Sequence, residues 1–242
     1  MQCLACRHLE HWVLPSAKAN TLLAGHLFSP GLFLAERIER GLLSASGSTS
    51  RDKERSTVIE LGAGCALPSL LLAILATEPA TIVATDYPDP DLLENLAQNV
   101  KRNSHLVSQG CTVHYYGYEW GSDVAPLLQL THTGRTEHGY DVVILSDLLF
   151  FRSSHRDLIS SVEALLARSP EARIHIAVEK DNTKEEVCKD FLSLSEQRGF
   201  TFEEISLDED EEWLGSFPVG GFDKEALTIR KAACRYWVGR RS

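Results

Sequence analysis

The chain is 242 residues long, 43% hydrophobic and 24% charged, the balance of an ordinary globular protein with room for one sizeable core. Its net charge of −10, from 34 acidic against 24 basic side chains, argues against a nucleic-acid partner, whose binding rests on Lys and Arg contacts to phosphate. No apolar run reaches the roughly 18 residues that span a bilayer, so no membrane partner is expected either.

Residues 1–15 lack the uninterrupted apolar stretch of a signal peptide, with His8, Glu10 and His11 where one would sit, so this end is expected to be kept. The cysteines are scattered at Cys3, Cys6, Cys65, Cys111, Cys188 and Cys234 and read as reduced thiols of a cytoplasmic protein. Cys3, Cys6, His8 and His11 could in principle hold zinc, but such sites usually draw on two separated ligand pairs, and no metal is assigned. Leu22, Leu23, Phe33, Leu34 and Ile38 have helical spacing, interrupted near Ser29-Pro30-Gly31 by turn formers. Residues 41–56 are Ser/Gly-rich, then charged, without apolar periodicity, and read as an exposed linker. The expected organisation is thus an N-terminal helical segment and linker over 1–56 and a larger domain over 57–242, together one globular unit.

From Thr57 short apolar strands alternate with longer helical stretches, the signature of parallel strands joined by crossover helices. Strands are expected at 57–61, 81–85, 112–116, 140–146, 173–178 and 200–206, with a last one inside 226–238. The fold class is α/β, a doubly wound, mostly parallel seven-stranded sheet with helices on both faces. Pro68 falls in the first turn of one helix, Asp89-Pro90 caps the next, and Thr183 with Glu186 spells a capping box for a third. The acidic run Asp208 to Glu212 reads as a solvated loop that could also attract a lysine-rich substrate.

The chemistry begins at Glu60-Leu61-Gly62-Ala63-Gly64-Cys65, a strand running straight into a glycine turn and a helix. Glycines there allow positive φ and close backbone approach, at the sheet edge where open α/β folds bind ligands. The dinucleotide fingerprint needs a third small residue where this chain has Leu67, which counts against a nicotinamide dinucleotide. Glu60 adds a negative charge that suits a cationic ligand and would repel a pyrophosphate. Asp86 ends the second strand, where an acidic residue accepts hydrogen bonds from ribose hydroxyls; it is equally placed as a turn former before Pro88. Trp120 beside Gly121 is either a lid over a flat base or a half-buried anchor.

Three linked motifs carry a resemblance: residues 60–69, residues 85–92 with Asp86-Tyr87-Pro88, and Tyr118-Glu119-Trp120-Gly121. They closely resemble the fungal seven-strand methyltransferases labelled nicotinamide N-methyltransferase-like, within the Rossmann-like, S-adenosylmethionine-dependent methyltransferases. The better-understood members methylate a lysine or the N-terminal amine of a translation elongation factor. The resemblance runs from about Phe28 to His155. It implies S-adenosylmethionine as cofactor, with Glu60, Gly62 and Gly64 on its methionine part, Asp86 on its ribose, Tyr87 and Trp120 near its adenine, and Ser146 at the edge of the same site. It also implies that Asp147 and Phe150, in Ser146-Asp147-Leu148-Leu149-Phe150, stand at the mouth where an amine meets the methyl group.

Departures concentrate on the acceptor side. Phe151 and Arg152 stand where the elongation-factor enzymes carry an Asn-His pair, Phe28 replaces a tryptophan, and Glu179-Lys180-Asp181-Asn182 replaces a His/Pro-rich segment. The expected activity is therefore N-methylation of a protein lysine or N-terminal amine by a monomer, with an acceptor protein such as a translation factor. The alternatives are N- or O-methylation of a small-molecule amine or alcohol, and a catalytically silent cofactor-binding protein acting through partners.

Overall fold

The computed structural model describes residues 26–43, 55–131, 139–206, 212–217 and 219–242. The cysteine and histidine cluster at 3–11, Leu22 and Leu23, most of the linker and acidic residues 208–211 lie outside them.

Seven strands form one sheet: β1 Ser56–Leu61, β2 Ala80–Asp86, β3 Thr112–Gly117, β4 Val142–Ser146, β5 Arg173–Glu179, β6 Phe200–Glu204 and β7 Cys234–Arg241. Their order is β3-β2-β1-β4-β5-β7-β6. The first five pair in parallel, and β7 runs antiparallel between β5 and β6. β1 carries Ser-Thr-Val-Ile-Glu-Leu with every residue buried, as a central parallel strand covered on both faces requires. The winding reverses between β1 and β4, which opens a crevice at the strands' carboxyl ends.

Helices α1 Ser29–Glu39, α2 Leu67–Leu75, α3 Pro90–Asn103 and α7 Lys224–Ala232 cover one face, and α4 Ala125–Gln129, α5 His155–Leu165 and α6 Glu185–Glu196 the other. α2 is buried along almost its whole length, and its sequence is correspondingly apolar nearly all round. α3 buries only Leu92, Leu96, Asn99 and Asn103, one stripe at helical spacing, and Asp89 caps it by accepting from the Asp91 and Leu92 amides. Among the described residues, no helix is long and apolar enough to cross a membrane.

Four local expectations are corrected. Ser29-Pro30-Gly31 begins α1 instead of interrupting a helix, because proline's missing N–H is harmless in a first turn. Ser56 belongs to β1, paired with Ala80, and not to the linker. Thr183 and Glu186 make no capping box: Lys184 is the N-cap, and the Thr183 amide turns back to the Glu179 carbonyl while its buried hydroxyl has no partner among the described residues. The last strand, expected inside 226–238, begins only at Cys234 and runs on to Arg241, because Asp223 caps α7 through the Ala226 amide and the chain stays helical to Ala232.

α1 and α7 are locked together by an ion pair taken out of water. Lys231 Nζ lies 3.1 Å from Glu36 Oε1, with side chains 3% and 0% exposed, and also donates to the Glu212 carbonyl. The same Glu36 oxygen accepts from the Leu214 amide at 2.7 Å. Removing one buried partner costs more than the pair contributes, because a charge is left stranded. Lys231→Met is therefore expected to lower unfolding free energy by about 3–5 kcal/mol, and the double change Glu36→Met with Lys231→Met to recover most of it. Urea unfolding midpoints would decide; an unchanged midpoint in the single variant would show the pair to be idle.

Candidate active site

The crevice is shaped first by the turn after β1. Gly62 and Gly64 sit at φ 60° and 51°, and a Cβ at Gly62 would come within 2.6 Å of Leu148 Cδ2, so only glycine fits there. Ala66 follows at φ 58° as the N-cap of α2, with no side chain to offer the helix's free amides. Glu60 supplies what Ala66 lacks. Its Oε2 accepts from the Ser69 amide at 3.1 Å and the Ser69 hydroxyl at 2.5 Å. Among the described residues its buried Oε1 has no hydrogen-bond partner. Burial pushes the Glu60 carboxyl up to about 7, against the pull of Ser69 and with a further push from the Asp86 charge.

Asp86, at the end of β2, ties the turn from the other side: Oδ2 accepts from the Gly64 amide at 2.7 Å and Oδ1 from the Tyr87 amide at 2.8 Å. Burial raises its carboxyl above the usual range while these two amides oppose the shift. The turn-forming geometry is thus real, and the carboxylate lines the crevice as well. The neighbouring Cys65 thiol is pushed up to about 12 by burial and by the Asp86 and Glu60 charges, so it holds its proton and offers no nucleophile.

β4 delivers the third side. Ser146 closes the strand, and Asp147 follows in the left-handed region at φ 56°, which Asp tolerates better than most residues. Its Oδ1 accepts from the Glu179 amide at 3.1 Å and its Oδ2 from Asn182 Nδ2 at 3.2 Å. Burial raises its carboxyl, these two donors oppose the shift, and the Glu179 charge adds to it. The loop beyond is pinned from below, where buried His155 Nε2 donates to the Leu149 carbonyl at 2.7 Å. That pin presents Phe150, 46% exposed, with its ring 3.9 Å from Phe151, which in turn meets half-buried Trp120 edge-on at 5.8 Å.

All nine expected site residues, Glu60, Gly62, Gly64, Asp86, Tyr87, Trp120, Ser146, Asp147 and Phe150, line one cavity of about 550 Å³. Three contributions were missed. His26 and Leu27 come from the strand-like approach to α1, held by Arg230 donating to the Leu27 carbonyl. Asp157 comes from the first turn of α5, and Asn182 from the turn after β5. Asn182 lies three residues beyond a parallel strand's carboxyl end, and that position was the available signal for it.

Both groups that hold Asp147 are donors, so an amide there must turn its own N–H₂ toward a donor. Asn182 cannot reverse to compensate without pointing its oxygen at the Glu179 carboxylate, to which Nδ2 also donates. Asp147→Asn should therefore cost about 1–3 kcal/mol despite its matching shape. A melting temperature equal to that of the parent protein would show that these bonds do not hold the site.

Residues 16–198 match the family model described as lysine methyltransferase. The chain is 32% identical over 195 residues to the protein N-terminal and lysine N-methyltransferase EFM7 of Gibberella zeae, covering 78% of this chain and 70% of that one. It is 32% identical over 204 residues to the efm7 protein of the same description in Emericella nidulans, covering 81% and 76%. Among solved structures, a SAM dependent methyltransferase from Aquifex aeolicus superposes with a TM-score of 0.53 at 12% identity, covering 86% of this chain and 90% of that one, a likeness of fold. With the family match spanning most of its length and these relatives alongside, the chain belongs to the lysine methyltransferase family.

Proposed function

We propose that the protein transfers a methyl group from S-adenosylmethionine to an amine nitrogen of another protein, a lysine side chain or an N-terminal amine. The observation that carries this reading is the charge of the cavity: among the described residues it is lined by Glu60, Asp86, Glu119, Asp147 and Asp157 and by no lysine or arginine. A pyrophosphate would be repelled there, whereas a ligand carrying sulfonium and ammonium groups finds opposite charge. Glu60 Oε1, buried and without a hydrogen-bond partner among the described residues, fits such a ligand.

In this reading Glu60, Gly62 and Gly64 hold the methionine part, Asp86 accepts from the ribose hydroxyls through lone pairs its backbone donors leave over, and Tyr87, Trp120 and Ser146 border the adenosine. When bound, the cofactor supplies a methyl group on a positively charged sulfur, and its transfer discharges that charge. The chain's own residues then have two tasks, aligning a neutral amine and excluding water. Phe150, Phe151 and Trp120 form an apolar mouth that disfavours the ammonium form of a lysine, whose reference pKa is about 10.4. Asp147 accepts a hydrogen bond from the amine and receives its proton.

The names of the relatives support a protein acceptor, with a translation factor the first to test. Cys111, Cys188 and Cys234 are free thiols, in keeping with a cytoplasmic protein, and we expect a monomer. Isotopically labelled S-adenosylmethionine added with the protein to cell extract should label a discrete protein band. Label confined to small molecules would favour a metabolic amine instead.

Glu60 gives cofactor binding a pH signature. Its carboxyl, raised to about 7 in the folded protein, contributes stability that is full below the ordinary carboxylate range and lost as pH rises through about 7. A cationic ligand favours the carboxylate, so binding should release a proton near neutral pH and tighten as pH rises through about 7. Calorimetry in buffers of different ionisation heat would measure that proton, which Glu60→Gln should abolish. Equal proton release in both proteins would move the cationic contact away from Glu60.

A further inference from the structure

Asn182 stands at the cavity mouth and has no part in the mechanism above. Its single amide nitrogen donates to Asp147 Oδ2 at 3.2 Å and to Glu179 Oε2 at 3.0 Å, bridging two carboxylates with its two hydrogens. The other end of the bridge is fixed, because Glu179 Oε1 accepts from Ser29 Oγ of α1 at 2.8 Å. The Glu179 backbone amide also donates to Asp147 Oδ1, so both oxygens of Asp147 are held from the end of β5. From this geometry we infer that Asn182 is a positioning residue, which aims the Asp147 carboxylate at the acceptor amine and keeps it ionised beside Glu179; the inference rests on the methyltransferase reading.

The alternatives to an amide at 182 fail for definite reasons. A lysine or arginine would neutralise the charge that Asp147 presents to the amine, and an aspartate would add a third carboxylate with no donor between them. Asparagine supplies two donors and no charge, and both of its bonds run to carboxylate oxygens, so its nitrogen must face them. The surroundings offer no substitute. Beyond Glu179, the Cys234 thiol faces Asp147 from the start of β7 and feels its charge, Glu60 and Asp86 lie across the cavity, and Lys180 turns away to donate to the Ala232 carbonyl. Removing the amide leaves two carboxylates meeting in a partly buried corner, and Asp147 should then hold its proton to higher pH, in line with the raising effect of Glu179 and the lowering effect of Asn182 on its carboxyl.

The test uses the full chain carrying ¹³C-labelled aspartate, with the Asp147 carboxyl resonance identified by its loss in Asp147→Asn. Asn182→Ala, a change at an exposed side chain, should move the Asp147 titration upward by about one pH unit or more. Adding Glu179→Gln should return it toward the parent value. In parallel, the acid limb of the rate of methyl incorporation into extract protein at saturating S-adenosylmethionine should move to higher pH by the same interval, while the dissociation constant for S-adenosylmethionine stays within about twofold. An unmoved titration overturns the inference and leaves the methyltransferase reading standing. A moved titration with an unmoved rate overturns the role of Asp147 at the acceptor, and the positioning role with it. No methyl incorporation even by the parent protein would instead sink the methyltransferase reading, while the titration still reports whether Asn182 holds Asp147.

Discussion

One buried carboxylate sets the terms for the rest of the site. Glu60 ends a strand that is covered on both faces, so water cannot solvate it, and the helix that follows has no side chain of its own to cap its amides. Glu60 meets that need with one oxygen, and the other, in the cavity wall, has no partner among the described residues. The arrangement is only possible because the chain reverses direction within four residues, through left-handed Gly62 and Gly64. Buried carboxylates resist ionisation, and Asp86 nearby makes it harder, so this wall favours a ligand that brings positive charge. Fold, cap and ligand preference thus follow from a single residue's position.

The sheet was legible because buried parallel strands are short apolar runs, and this chain separates them with longer helical stretches. What misled was local grammar read without its context. Pro30 and Gly31 are turn formers in general, but at a helix's first turn proline is preferred, and nothing nearby distinguishes the two cases until packing does. Thr183 and Glu186 have capping-box spacing, yet the backbone leaving β5 takes the Thr183 amide back to Glu179 and shifts the helix start to Lys184. α7 escaped notice because it buries only Leu227 and Lys231, and one of those is a lysine. A buried lysine can be recognised only once Glu36, nearly two hundred residues earlier, is seen to face it.

The site divides along the same line. The glycine turn and Asp86 are local features with fixed spacing, and the sequence placed them on one edge without help. Asp86 turns out to form the turn and line the cavity together, so the two readings of it were never exclusive. Trp120 is half-buried against the Gly62 turn and meets Phe151 at the mouth, as the anchoring reading of it expects. By contrast, the contacts of Asp147 join β4 to the turn after β5, thirty-two and thirty-five residues away, and no spacing rule encodes them.

The cavity therefore holds two groups of carboxylates that need different partners. Glu60 and Asp86 are held by backbone amides and one hydroxyl and retain capacity for a cation, which a sulfonium cofactor supplies on arrival and loses on reaction. Asp147 and Glu179 cannot be relieved in that way. A fixed cation between them would stabilise both, but it would cancel the negative charge that Asp147 is proposed to present to an amine and would repel an incoming ammonium. A neutral amide is the group that satisfies both oxygens without neutralising either, since it binds through partial charges and leaves the formal charge of Asp147 directed at the mouth. Two carboxylates beside one amide are costly to hold in a partly buried corner, and a positively charged group entering the cavity would lower that cost, in keeping with the amine acceptor proposed above.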